Sequence, residues 1–180
     1  MFNIKDHLIV KDNFFSQEIY DNIILDLSGL KFTNRYVTAD HENIYNKIYF
    51  NINLNHEHFA VKEVSKKLNE EYQLNVLPLE NNYYLSSKHT EATPHNDIQD
   101  ENNINYLNCI IFLKGKELLN SGTGFYDYDK ETKEYNLNRH IGFKKNRAII
   151  FDPSIYHASL QFNEECGSRY IMANFFKKKI

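Results

Sequence analysis

Ile19, Tyr20, Ile23, Ile24 and Leu27 recur at intervals of three and four, the spacing that lines one face of an α-helix. Ser16 stands at the N-cap, Phe15 is placed to staple onto Tyr20, and Gly29 suits the C′ position. A second helix is predicted from about His56 to Tyr72, with Val61, Val64, Leu68 and Tyr72 on its buried stripe. Strands are predicted at Lys5–Val10 and, from the alternation of its side chains, at Ile44–Leu54. Beyond Tyr72 the rhythm shortens. Runs rich in Val, Ile, Tyr and Phe, separated by polar or Gly/Pro punctuation, predict strands near Asn75–Leu79, Tyr83–Ser87, Ile104–Leu113, Gly124–Tyr128, Asn138–Phe143, Arg147–Phe151, His157–Phe162 and Ser168–Phe176.

So many short strands in succession point to a jelly roll or another antiparallel sandwich. Two helices ahead of them would pack across one sheet, which makes the class α+β. No repeat, linker or low-complexity tract divides the chain, so residues 1–180 are read as one domain, with 1–73 as lead-in and 74–178 as jelly-roll core. At 180 residues, 42% hydrophobic and 25% charged, the chain can bury a sizeable core. A formal charge of -3 supplies no broad electrostatic footprint for nucleic acid. No apolar window is long enough for a membrane span, and the start lacks a signal-peptide profile, so the expected compartment is the cytoplasm. Cys109 and Cys166 are too few for a disulfide framework, and Lys177-Lys178-Lys179 reads as a solvated tail.

The chemistry lies in four dispersed residues. In Pro94-His95-Asn96-Asp97, His95 and Asp97 are two apart and in extended backbone face the same way. His157, several strands later, would complete a set of two imidazoles and a carboxylate. Such a set leaves open positions on an octahedral ion and suits non-haem Fe(II) and oxygen. Arg169, one hairpin further on, can grip a carboxylate in bidentate fashion. Each residue also has a plain structural role open to it: a capped turn for His95 and Asp97, a half-buried strand histidine for His157, and an ion pair with Glu164 or Glu165 for Arg169. His56-Glu57-His58 with Glu63 imitates part of a cupin signature. On a helix, however, His56 and His58 face different ways, so it reads as a solvated helix start.

The four residues and their surroundings resemble the Fe(II)/2-oxoglutarate-dependent dioxygenases, particularly the small prolyl-4-hydroxylase-like branch. The resemblance runs from Asn81 to Phe176. It is carried by Pro94-His95-Asn96-Asp97, Tyr106-Leu107-Asn108, Ser121-Gly122-Thr123-Gly124-Phe125, Ala148-Ile149-Ile150-Phe151-Asp152-Pro153, His157 and Gly167-Ser168-Arg169-Tyr170. It implies a double-stranded β-helix (jelly roll) with N-terminal helices packed on one sheet. His95, Asp97 and His157 would then be the Fe(II) ligands, and Arg169 would hold the distal carboxylate of 2-oxoglutarate. With O2, the implied reaction is a hydroxylation coupled to release of succinate and CO2.

Two departures concern the cosubstrate. Ala92 stands where many relatives have an aromatic, which makes Tyr84 on the preceding strand the substitute, and Ser121 replaces the first glycine of the family's Gly-Gly turn. The Arg-x-Asn-x-Thr-x-Arg pattern of nucleic-acid demethylating relatives is missing after Arg169. Expected partners are therefore a small-molecule or peptide substrate, with no nucleic acid and no membrane. Its contacts would fall on the loops Lys31–Asn43, Ile98–Asn103 and Tyr128–Asn138. The substrate itself, a prolyl residue in a peptide or a small amino-acid-like molecule, and the oligomeric state are both open. A silent jelly roll binding metal or sugar, or a cupin-like metalloenzyme without 2-oxoglutarate, would share much of this pattern.

Overall fold

The computed structural model describes residues 8–32, 34–36, 49–87, 93–98, 105–161 and 168–179. In chain order the elements are β1 (Ile9–Lys11), α1 (Gln17–Gly29), β2 (Asn34–Tyr36), β3 (Tyr49–Leu54), α2 (Phe59–Tyr72), β4 (Val76–Pro78), β5 (Asn82–Ser87), β6 (Leu107–Lys114), β7 (Ser121–Tyr128), β8 (Tyr135–Gly142), β9 (Arg147–Phe151), β10 (Tyr156–Gln161) and β11 (Arg169–Lys178). They form two antiparallel sheets. The larger runs β1-β9-β6-β11-β5-β3-β2, with β4 also on β11, and the smaller runs β10-β7-β8. This is the α+β jelly roll that the strand pattern predicts.

The apolar run of β6 shows how the layers are built. Leu107, Cys109, Ile111 and Leu113 face the helices, where they join Ile23 and Leu27 of α1 and Val61, Val64 and Leu68 of α2. Ile110 and Phe112 face the other way and pack with Phe125, Phe143, Ile149 and Phe151 between the sheets. A strand covered on both faces has no polar side to show, which is why its sequence lacks alternation. Burial also raises the pKa of the Cys109 thiol, so Cys109 stays an inert core group.

Ser16 caps α1, its Oγ accepting from the Ile19 N–H at 3.4 Å. The entry is fixed from afar by buried Asn146, which accepts from the Phe15 N–H and donates to the Phe15 carbonyl, both at 2.9 Å. Gly29 is the last helical residue rather than C′: the chain leaves through Leu30 in extended backbone (φ -96°, ψ 145°), so no left-handed residue is needed. α2 by contrast ends on a left-handed C-cap, Gln73, at φ 54°. His56 to His58 precede α2, and His58 is its N-cap, with Nδ1 accepting from the Ala60 N–H at 3.3 Å.

Other boundaries also moved. β7 begins at Ser121, three residues before the expected start at Gly124, so the position likened to a Gly-Gly turn is strand, and a Cβ on Gly122 would lie 1.9 Å from the Ile141 carbonyl oxygen. β8 begins at Tyr135, inside the expected loop Tyr128–Asn138, where Tyr128, Tyr135 and Tyr156 pack together with ring centroids 4.9 to 5.5 Å apart. β2 occupies part of the expected loop Lys31–Asn43. Lys177 and Lys178 are strand residues paired with Leu77 and Val76 rather than a free tail. The expected segments Lys5–His7, Ile44–Ile48, Glu164–Glu165 and Cys166 lie outside the described residues, as does most of Ile98–Asn103.

An ion cluster ties the segment after β1 to β9. Arg147 donates to Asp12 from Nε at 2.6 Å and from a terminal nitrogen at 3.1 Å, and Lys144 Nζ lies 2.8 Å away. These hydrogen bonds, Arg147 first and then Lys144, pull the Asp12 pKa down to about 2. A lowered carboxylate pKa stabilises the fold above the unfolded value near 4, and that contribution is lost as pH falls toward 2. Asp12 is 36% exposed, so solvent screening holds the expected cost of Asp12→Asn to about 1 kcal/mol at pH 7. That corresponds to about 2–4 °C in melting temperature. Thermal unfolding at pH 7 and pH 3 should show the wild-type advantage shrinking in acid, and an advantage independent of pH would refute the assignment.

Candidate metal centre

His95 and His157 are brought together by the main chain. They form an isolated antiparallel bridge, His95 N–H donating to the His157 carbonyl at 3.0 Å and His157 N–H to the His95 carbonyl at 2.8 Å. Residues directly opposite in such a bridge project to one face, and the two imidazoles lie with centroids 4.6 Å apart. Asp97 follows on the same face, its N–H bound to the Pro153 carbonyl at 2.9 Å. Pro153 belongs to the turn before β10, in which Asp152 Oδ1 accepts from the Ser154 N–H at 2.8 Å. His95, Asp97 and His157 each offer a ligand atom within 4.8 Å of the others, and they are the one such group of three among the described residues.

The protonation pattern follows from the neighbours. His95 Nδ1 lies 3.1 Å from the Thr93 carbonyl oxygen, and His157 Nδ1 lies 3.1 Å from that of Ile155. A carbonyl can only accept, so in the neutral rings Nδ1 holds the proton and Nε2 presents a lone pair. Burial pushes the His157 pKa down to about 4, only partly offset by the Asp97 charge and further lowered by His95, so this ring is neutral near pH 7. Its Nε2 then faces Asp97 Oδ2 at 3.4 Å, one acceptor opposite another. A divalent cation between them would satisfy both acceptors. Asp97 is oriented by Asn108, whose Nδ2 donates to Oδ2 at 2.5 Å while its Oδ1 accepts from Asn105 at 2.8 Å.

The group grades from closed to open. Phe151 and Phe125 back the His157 ring at 4.8 and 6.3 Å, and the side chains of His157, Asp97 and His95 are 7%, 20% and 53% exposed. The group therefore has an apolar wall on its inner side and opens toward solvent at His95.

Arg169 reaches across from the large sheet to the small one. It is buried, and one terminal nitrogen donates to the Gly122 carbonyl at 2.7 Å and to the Leu160 carbonyl and Ser121 Oγ at 3.3 Å. Leu160 is three residues along β10 from His157, roughly 10 Å at the rise of a strand. The guanidinium charge and burial together hold His140 below the usual histidine pKa, burial being the larger cause.

Tyr84 is not brought to this group. It sits opposite Met172 on the helix-facing side of the large sheet, fully buried, its hydroxyl donating to Asp26 Oδ2 at 3.0 Å. Tyr83, opposite Ala173, projects to the inner face and meets the Phe175 ring at 6.3 Å. Two adjacent tyrosines give no alternation from which the face could be read, and only strand register separates them. The His56 and His58 pair is likewise engaged elsewhere: His56 contacts Glu57 and Glu80, and His58 Nε2 lies 3.4 Å from Asp26.

No protein-family model and no curated protein matches the sequence. Solved structures do. A prolyl-4-hydroxylase from Pseudomonas putida superposes with a TM-score of 0.59 at 8% identity, over 95% of this chain and 92% of that one. A prolyl hydroxylase from Trichoplax adhaerens, in complex with a hypoxia inducible factor peptide fragment, gives 0.65 at 10% identity, over 96% and 84%. HygX from Streptomyces hygroscopicus, with nickel and 2-oxoglutarate bound, gives 0.63 at 11% identity, over 96% and 83%. At these identities the likeness establishes a shared fold, the double-stranded β-helix.

Proposed function

We propose that the chain is an Fe(II)/2-oxoglutarate-dependent oxygenase that hydroxylates an unactivated C–H bond with release of succinate and CO2. The observation that carries this reading is the set of inward acceptors. His95 and His157 Nε2 and the Asp97 carboxylate converge with their hydrogen-bonding protons directed elsewhere, and His157 Nε2 lies 3.4 Å from an Asp97 oxygen. Two neutral imidazoles and one anion suit a divalent ion that keeps open positions. The buried Arg169 of β11, bonded to carbonyls further along β7 and β10, supplies the fixed positive charge that a dicarboxylate needs at its far end. Bound together, ferrous iron, 2-oxoglutarate and O2 would supply oxidative decarboxylation coupled to hydroxylation.

The protein's own part is placement and shielding. Asn108 fixes the Asp97 carboxylate, the Thr93 and Ile155 carbonyls fix the two rings, and Phe125 and Phe151 exclude water from the inner side. The exposed edge at His95 is the entry for substrate. A prolyl or peptidyl substrate is supported by the peptide complex of the Trichoplax enzyme. A small amino-acid-like substrate fits the same opening. No helix among the described residues is long and apolar enough to cross a membrane, and the cytoplasm is the proposed compartment.

Anaerobic addition of Fe(II), with and without 2-oxoglutarate, tests the reading. A visible charge-transfer band should appear only when both are present. Bound iron without that band would favour a jelly roll that does not use 2-oxoglutarate. Amino acids and proline-containing peptides, screened for stimulated succinate release, then identify the substrate class.

A further inference from the structure

The small sheet carries a pair of charges beside the metal group that packing does not require. β8 pairs with β7 from Tyr128↔Tyr135 to Tyr126↔Leu137 and then slips by one, so that Phe125 stands opposite Arg139 rather than Asn138. The extra residue is a β-bulge, a device that re-aims the side chains around it. On its other side Phe125 pairs with His157, and its ring packs with Phe151 and His157 between the sheets. Residues directly opposite share a face, so His157, Phe125 and Arg139 stand on one rung of the inner face. Without the bulge Arg139 would pair with Gly124 and turn to the outer face, where Tyr126 and Leu137 lie over Gly124. Asp127, two residues beyond Phe125, is also on the inner face, and Asn138 Nδ2 donates to its Oδ2 at 2.7 Å. Tyr126 pairs with Tyr156, so this end of β7 lies beside the turn whose Pro153 carbonyl holds Asp97.

The plain alternative is an ion pair between the two charges. The Asp127 carboxylate bonds Asn138 instead, and among the described residues Arg139 enters no ion pair. Both residues are exposed, so the inner face is open to solvent here. We propose that Arg139 and Asp127 select a free α-amino acid as substrate, Arg139 taking its carboxylate and Asp127 its ammonium group. The inference rests on the oxygenase reading above and names the substrate class of that site. Arg139 is two strand spacings from His157, about 10 Å, a span that a small molecule and the arginine side chain fill together. Arg139 and Asp127 are diagonal neighbours on adjacent strands, about 7–8 Å apart, so both can close on one molecule bearing both charges. A guanidinium matches a carboxylate in two parallel hydrogen bonds. An internal peptidyl residue carries neither charge, and docking one here would desolvate the guanidinium and the carboxylate without a partner.

The test uses the full chain with Fe(II) and 2-oxoglutarate. The probes are free L-amino acids, the N-acetyl and C-amide forms of those that stimulate succinate release, and a proline-containing peptide capped at both ends. A free amino acid should stimulate most, and blocking either end should raise its KM about ten-fold. Arg139→Gln should raise the KM for the free amino acid about ten-fold and have little further effect on the C-amide. Asp127→Asn should do the same, with little further effect on the N-acetyl form. Both positions are exposed, so both variants should melt with wild type and keep the charge-transfer band that Fe(II) and 2-oxoglutarate give together. A wild-type KM in either variant, or stronger stimulation by the capped peptide than by any free amino acid, would overturn the proposal and leave the oxygenase reading intact. A band in the wild type without stimulation by any free amino acid would do the same. A variant that loses the band would mark its residue as part of the cosubstrate site or the fold and overturn the selective role. A wild-type protein that binds Fe(II) but gives no band would overturn the underlying reading, and this proposal with it.

Discussion

His157→Ala is expected to abolish metal-dependent turnover and to weaken divalent metal binding by roughly a hundred-fold or more. Losing even an outer-shell partner of a metal ligand typically costs about 10–100-fold, and the loss of a ligand exceeds that. His157 is the most enclosed of the three, and its Nε2 stands 3.4 Å from Asp97 Oδ2. Its removal leaves His95 and Asp97, the more exposed pair, whose nearest ligand atoms are 4.0 Å apart. The bridge that aligns the strands survives, because it is made by main-chain groups of residues 95 and 157. The variant should therefore fold, with a loss of about 1–3 kcal/mol from the space left beside Phe125 and Phe151. Equilibrium dialysis with Mn(II), alongside thermal unfolding, separates the two effects. Wild-type-like 2-oxoglutarate decarboxylation by this variant would remove His157 from the ligand set.

Arg169→Ala should raise the requirement for 2-oxoglutarate by about a hundred-fold or more while changing the requirement for Fe(II) by no more than about three-fold. Truncating one partner of a buried, hydrogen-bonded charge pair costs about 2–5 kcal/mol. One terminal nitrogen of Arg169 donates to the Gly122 and Leu160 carbonyls and to Ser121 Oγ, on strands β7 and β10 beyond the metal-ligand rung. Those groups lose a donor in the variant, so some stability is lost as well. Arg169→Lys provides the control: it keeps the charge but not the planar fork, and should fall between wild type and alanine in 2-oxoglutarate affinity. Equal weakening toward iron and cosubstrate would count against a carboxylate clamp.

The residues that carry these predictions were visible in the chain to different degrees, for physical reasons. His95 and Asp97 could be paired from sequence because a spacing of two in extended backbone puts side chains on one face whatever the rest of the fold does. Their convergence with His157 depends on a bridge between segments far apart in sequence, which no local pattern encodes. Asn108 opens a strand that reads as apolar throughout, and its bond to Asp97 appears only once β6 lies beneath the loop. Tyr84 was the converse: a plausible aromatic on the right strand but on the wrong side of the sheet, where it bonds Asp26 under the helices.

What the sequence determined alone was local and periodic. The three-and-four spacing and Ser16 made α1, the β-branched and aromatic runs made the strands, and the number and order of those strands made a jelly roll. Such features are set by backbone sterics and by the burial of one face, both of which act over a few residues. Tertiary structure decided which face each strand turned inward, where β7, β8 and β11 began and ended, and which side chains met across them. A shift of one residue in register exchanges every inward side chain for its neighbour. The choice between Tyr83 and Tyr84 therefore belongs to the packing of whole sheets.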